Sequence, residues 1–179
     1  MNAIKTAVAA VTAAASLVAF SPAEAATATA NLNVTANVGG ACSIGSGAGG
    51  GTLNFGTYDP VVVNSALGVD LFGTGSLSVQ CTLLSTAVIT LGQGLYPAAG
   101  STAAVPLRRM RNAASTDYLS YFLYMDVTRL IAWGNTSGTG LPFLGLGLPV
   151  PVQVYGTVPR GQNVPSGTYN DTVVATITF

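Results

Sequence analysis

Residues 26–38 read ATATANLNVTANV, with an apolar residue at every even position and Thr or Asn at every odd one. Side chains on a strand alternate between two faces. Ala28, Ala30, Leu32, Val34, Ala36 and Val38 therefore share one face, and Thr27, Thr29, Asn31, Asn33, Thr35 and Asn37 the other. A helical period would mix the two sets. Gly39 and Gly40 follow and set the run apart from what comes after. Two readings stand on these residues alone. The run is a strand that can be lent to another molecule, or it is the first strand of its own domain, with Gly39–Gly40 as a turn.

The segment before it reads as an export signal. Met1–Ala25 carries Lys5 near its start, an apolar run from Ala7 to Phe20, the breaker Pro22, and then Ala23-Glu24-Ala25, a small-x-small cleavage pattern. The apolar run falls short of the roughly 20 residues that a spanning helix needs. Cleavage after Ala25 is expected. The chain then divides into a signal peptide (1–25), an N-terminal strand with its glycine linker (26–40) and one domain (41–179), long enough to bury a core.

Composition narrows the function. The chain has no His, its only Lys is Lys5, and beyond Glu24 its charges are five Arg against five Asp. Without a basic patch, nucleic acid is excluded as a partner, because nothing is available to neutralise phosphates. Such a neutral chain, rich in Gly, Thr, Val and Ala, suits a subunit packed into an assembly. The absence of His and of Lys beyond Lys5 also removes the usual general bases and activated nucleophiles, and no cluster of metal-ligand spacing occurs. The chain is expected not to be an enzyme and to bind neither cofactor nor metal. Asp59, Asp117, Asp126 and Asp171 lie beside turn signals, where Asp bonds local backbone. Arg108, Arg109 and Arg111 read as a solvated strand end or interface rim. Tyr118, Tyr121, Tyr124 and Trp133 read as core and groove aromatics, with sugar stacking the alternative for any that are exposed.

Cys42 and Cys81 are the only cysteines. In an exported chain a disulfide is the default, and closing that loop restricts the unfolded chain by about 4 kcal/mol.

The rest of the chain signals β-structure throughout. Residues 52–57, 75–82, 87–91, 118–125, 150–155 and 172–179 are short runs rich in Val, Ile, Thr, Tyr and Phe, bounded by Gly, Pro, Asn and Ser. Several such strands imply a sandwich or barrel. Residues 45–51 (GSGAGGG) read as a flexible loop. Residues 134–147 read as a glycine-rich connection with apolar members Leu141, Phe143, Leu144 and Leu146, either a cover for an open end or a contact surface. In the last run Val173, Ala175, Ile177 and Phe179 share one face. An immunoglobulin-like sandwich ending on this strand lacks its final edge partner, which leaves an apolar groove that an added strand covers.

Several segments in this order resemble the spore coat protein U domain family. They are Leu53-Asn54-Phe55-Gly56, Tyr121–Asp126 with Trp133-Gly134, Val154-Tyr155-Gly156-Thr157-Val158-Pro159, and Pro165-Ser166-Gly167-Thr168-Tyr169-Asn170-Asp171-Thr172. The resemblance covers residues 42–179, with the alternating run ahead of it, and places the two cysteines where the family has its disulfide. It implies an all-β, incomplete immunoglobulin-like sandwich with an N-terminal donor strand. It further implies a pilus subunit that a periplasmic chaperone holds and an outer-membrane usher polymerises at the cell surface, for adhesion or biofilm formation. By position, Ala28 to Val38 would be the donor, and Val173, Ala175, Ile177 and Phe179 one wall of the acceptor groove. The Phe179 carboxylate would anchor basic residues of the chaperone. Two alternatives remain: a self-complemented secreted coat or matrix protein, and a small carbohydrate-binding adhesin module.

Overall fold

The computed structural model describes residues 26–45 and 51–179. The expected signal peptide and residues 46–50 of the glycine loop lie outside the described residues. Residues 26–41 form no regular secondary structure, and Leu32, Val34 and Val38 are exposed. A strand is defined by its ladder, so the alternating run has the pattern of a strand but forms no ladder among the described residues.

Nine strands are present among the described residues: β1 (Cys42–Gly45), β2 (Leu71–Cys81), β3 (Thr86–Leu91), β4 (Arg108–Asn112), β5 (Tyr118–Tyr124), β6 (Leu141–Leu144), β7 (Val150–Val158), β8 (Tyr169–Asn170) and β9 (Ala175–Thr178). They form a six-stranded sheet in the order β1-β2-β7-β5-β4-β8 and a three-stranded sheet in the order β6-β3-β9. Every pairing is antiparallel. The two inner faces meet on Val79, Ile89, Leu123, Trp133, Val152 and Val158. Trp133 is fully buried, and its indole N–H donates to the Ile89 carbonyl at 2.9 Å, which ties the β5–β6 connection to the smaller sheet. The expected all-β sandwich is the fold observed.

Several boundaries differ from expectation for visible reasons. The run at 52–57 is not a strand: a single bridge, Leu53 to Gly75, ties it to the large sheet, over whose inner face it lies. β2 starts at Leu71, ahead of the expected residue 75, because Gly73 and Gly75, poor strand formers, are where that segment crosses. β7 runs on to Val158, and β9 is shorter than the run that predicted it. Residues 134–147 hold β6 and a 3₁₀ turn at Ser137–Thr139, with Leu141 and Phe143 packed on the core.

β4 was hidden by its charges. In Arg108-Arg109-Met110-Arg111-Asn112 the inward positions are Arg108, Met110 and Asn112, and Arg108 is 2% exposed. The expectation of a solvated arginine cluster is therefore wrong for Arg108. Its guanidinium donates to the carbonyls of Gly92 (2.7 Å), Leu91 (2.8 Å) and Trp133 (2.8 Å), which makes its burial tolerable. Arg109 is half-buried, lying over the Tyr118 ring at 4.1 Å and donating to the Tyr96 and Pro97 carbonyls, and of the three only Arg111 is exposed.

Candidate functional site

The smaller sheet covers only part of the larger one. β9 is its edge strand, laddered to β3 from Ala175 opposite Leu91 to Thr178 opposite Val88. Its other edge has no ladder partner among the described residues. Beside that edge a cleft of about 210 Å³ opens between the sheets, walled by Val173 and Ala175 on one side and by Leu77, Met110, Tyr121 and Leu123 on the other. A second cavity of about 900 Å³ shares Leu53, Phe55, Met110, Tyr169 and Asn170 with it and runs on to Pro60, Val158 and Pro165. Together they form one apolar groove along the inner face of the large sheet, partitioned by Leu53 and Phe55.

The partition rests on glycines. A Cβ at Gly156 would stand 2.7 Å from the Phe55 ring, one at Gly73 2.9 Å from it, and one at Gly75 2.4 Å from the Thr52 carbonyl oxygen. The absence of those carbons lets residues 52–57 sink onto β2 and β7, which are paired there through Gly73 and Gly156. Phe55 also meets Tyr121 edge-on, with centroids 5.9 Å apart.

One polar cluster lies at the groove wall. The Tyr121 hydroxyl donates to Asp171 at 2.6 Å, and the other Asp171 oxygen accepts from the N–H groups of Leu95 and Thr172, both at 2.8 Å. Burial, and then this hydrogen bond to a carboxylate, push Tyr121 ionisation well above the usual phenol range. Burial also lowers the Arg108 guanidinium to about 10. The Tyr121 hydroxyl is held by Asp171, and the Arg108 guanidinium by backbone carbonyls. What the groove offers an incoming molecule is apolar walls and, along β9, unpaired backbone, the requirements of an added strand.

The residues singled out in the sequence fall as follows. Val173, Ala175 and Ile177 are half-buried against the core, and the first two line the groove. Phe179 is 61% exposed, outside the ladder. Cys42 and Cys81 form a disulfide and stand opposite each other in the register of β1 and β2. The Asp59 carboxylate accepts from the Val61 and Val62 N–H groups, which hold it below the usual carboxylate range. Asp126 accepts from the Thr128 hydroxyl and the Leu130 and Ile131 N–H groups, with the same effect. Trp133 and Tyr121 are core aromatics, whereas Tyr118 and Tyr124 are only half-buried. Sequence reasoning missed Met110 and the role of Leu53 and Phe55 as a partition. The i, i+2 spacing of Leu53 and Phe55 was the available signal for the latter.

The family model for the Spore Coat Protein U domain matches residues 28–176. Among solved structures the chain is similar to one in the crystal structure of the CsuC-CsuE chaperone-tip adhesion subunit pre-assembly complex from archaic chaperone-usher Csu pili of Acinetobacter baumannii. The identity is 18% and the TM-score 0.47, over 78% of this chain and 40% of that one. The present chain thus spans well under half the length of that relative.

Proposed function

The chain belongs to the Spore Coat Protein U domain family, and from that premise we propose that it is a structural subunit of a surface pilus, polymerised by donation of residues 28–38 into the groove of the next copy. The open apolar groove beside the free edge of β9 carries this reading. Its natural filler is an extended segment with apolar side chains at every second position, and Ala28 to Val38 has that pattern. Burying Leu32, Val34 and Val38 would contribute about 1.5–3 kcal/mol each, and the alanines less. Backbone bonds along β9 would add about 0.5–1.5 kcal/mol apiece. One tail and one groove per copy make a heterologous contact, which grows an open filament.

The rest of the assembly route follows as part of the proposal. The subunit is exported, kept from aggregating by a periplasmic chaperone that lends a strand to the groove, handed to an outer-membrane usher, and displayed at the cell surface in adhesion or biofilm. The test is to produce residues 26–179 and 39–179 in the periplasm and run each, unboiled and boiled, on a denaturing gel. A heat-sensitive ladder from the longer form, with only monomer from the shorter, supports intermolecular donation. A stable monomer that unfolds when the tail is deleted would instead make the chain a self-complemented coat protein.

A further inference from the structure

Two exposed apolar patches stand at opposite ends of β2. Ahead of it, the turn that follows Asp59 presents Val61, Val62, Val63 and Leu67 to solvent, Leu67 at 99% exposure. The turn is organised from within. Asn64 is 1% exposed, accepts from the Asp59 N–H at 2.9 Å and donates to the Val69 carbonyl at 2.8 Å. The Asn64 carbonyl takes the Gly161 N–H at 2.8 Å. The valines are thus held outward by a preformed scaffold.

Beyond β2, Leu83, Leu84, Leu146 and Leu148 are exposed around Gly147. The Leu84 N–H donates to the Gly145 carbonyl and the Gly147 N–H to the Cys81 carbonyl, which brings the two loops together. Leu84 sits at φ 63°, a conformation uncommon for a non-glycine residue. This leucine patch surrounds the point where the chain enters the body, since the Thr82 N–H donates to the Ala41 carbonyl at 2.9 Å. Contiguous apolar surface of this kind marks an interaction site.

Three geometric facts identify the occupant. The groove ends beside Pro60 and Val61, at the valine turn. The link from Val38 to Cys42 is only Gly39-Gly40-Ala41, which spans at most roughly 14 Å when extended. A donor's body must therefore stand close to the groove end from which its Val38 emerges. Finally, each body receives its own tail at the disulfide end, about a full β2 length (roughly 36 Å) from the valine turn. A donor body seated at the disulfide end would collide with that junction, whereas the valine-turn end is free of it.

Resting on the strand-donation reading above, we infer that the leucine patch at the root of one copy's tail docks on the valine turn of the next copy, the donated strand running antiparallel to β9. The interface closes the groove end against water and orients successive subunits. It needs no charge complementarity, since both patches are apolar.

The test places Val62→Cys and Leu83→Cys in one chain, assembles it, and applies a short thiol-reactive cross-linker. The two positions lie too far apart in one body for an internal link, so any product joins two copies. The expected result is conversion of the heat-sensitive ladder into one that survives boiling, with loss of that product when Thr74→Cys, exposed on the outer face of β2, replaces Val62→Cys. A heat-sensitive ladder that forms normally but links no better through Val62→Cys than through Thr74→Cys overturns the docking interface and leaves strand donation standing. Absence of any heat-sensitive ladder from the unsubstituted chain overturns both.

Discussion

Leu53 and Gly75 form the bridge that ties residues 52–57 to the large sheet. The contact exists only because Gly75 has no side chain: a Cβ there would lie 2.4 Å from the Thr52 carbonyl oxygen and 3.0 Å from the Leu53 Cβ. The inner face of β2 is thus dented where a strand of ordinary composition would be full, and Leu53 and Phe55 fill the dent.

Gly75→Val should lift that segment. The clash is with backbone, so side-chain rotation cannot relieve it, and overpacking of this kind costs about 1–3 kcal/mol. The urea midpoint of the body, residues 39–179, should fall accordingly. An unchanged midpoint would mean that residues 52–57 are not held against β2.

Arg108→Ala should be among the most damaging changes in the body. It strips partners from the carbonyls of Leu91, Gly92 and Trp133 at once and leaves a void between the sheets. Breaking a buried polar network of this sort costs about 3–5 kcal/mol. Arg108→Lys should fall well short of rescue, because a point ammonium cannot reach three divergent carbonyls as the planar fork does. Thermal unfolding of both variants checks this; full stability of the Lys variant would show that charge alone matters at the site.

Tyr121 should limit stability in alkali. Its ionisation is raised in the folded state, by burial first and the bond to Asp171 second, so the unfolded chain releases the proton at lower pH than the folded one. The contribution is therefore intact below the ordinary phenol range, near 10, and is lost as pH rises through and above it. Tyr124 is raised in the same direction, chiefly by burial, and adds to the loss. Tyr121→Phe should cost about 1.5–3 kcal/mol at neutral pH, the worth of a hydrogen bond to a charged acceptor, yet show a shallower decline between pH 9 and the alkaline limit. Parallel declines in the two proteins would refute the assignment.

Opening the Cys42–Cys81 bond should weaken the body by about 4 kcal/mol through the unfolded chain. β1 is a four-residue edge strand, so its register with β2 depends on that bond more than a central strand would. The double variant Cys42→Ser with Cys81→Ser, compared in urea with the oxidised body, measures the loss.

Alternation made most of the fold legible. β3, β5 and β7 were readable because apolar and polar positions alternate cleanly or run as short β-branched stretches. β4 was not, because three of its five residues are arginines and the inward one is held by carbonyls distant in sequence. The start of β2 was obscured by Gly73 and Gly75, whose role depends on a segment crossing from elsewhere. Part of the groove was legible: Val173 and Ala175 followed from period two, whereas Met110, Tyr169 and the Leu53–Phe55 partition depend on tertiary placement.

The alternating run gives the sharpest prediction, because its inward face can be changed without touching the body. Leu32→Asp puts a carboxylate where an apolar side chain should enter the groove, and burying it unpaired costs far more than the lost contact. The heat-sensitive ladder should disappear, while the urea midpoint of the monomer stays at that of residues 39–179. Asn33→Asp, on the opposite face, should leave the ladder largely intact, since strand donation would turn that side chain away from the groove. Ala36→Val tests the fit in the other direction: added methyl groups are worth about 0.8 kcal/mol each where they find space, so the temperature at which the ladder dissociates should rise. If Leu32→Asp and Asn33→Asp behave alike, the two faces of the run are not distinguished by their partner, and period two in this segment has some origin other than strand donation.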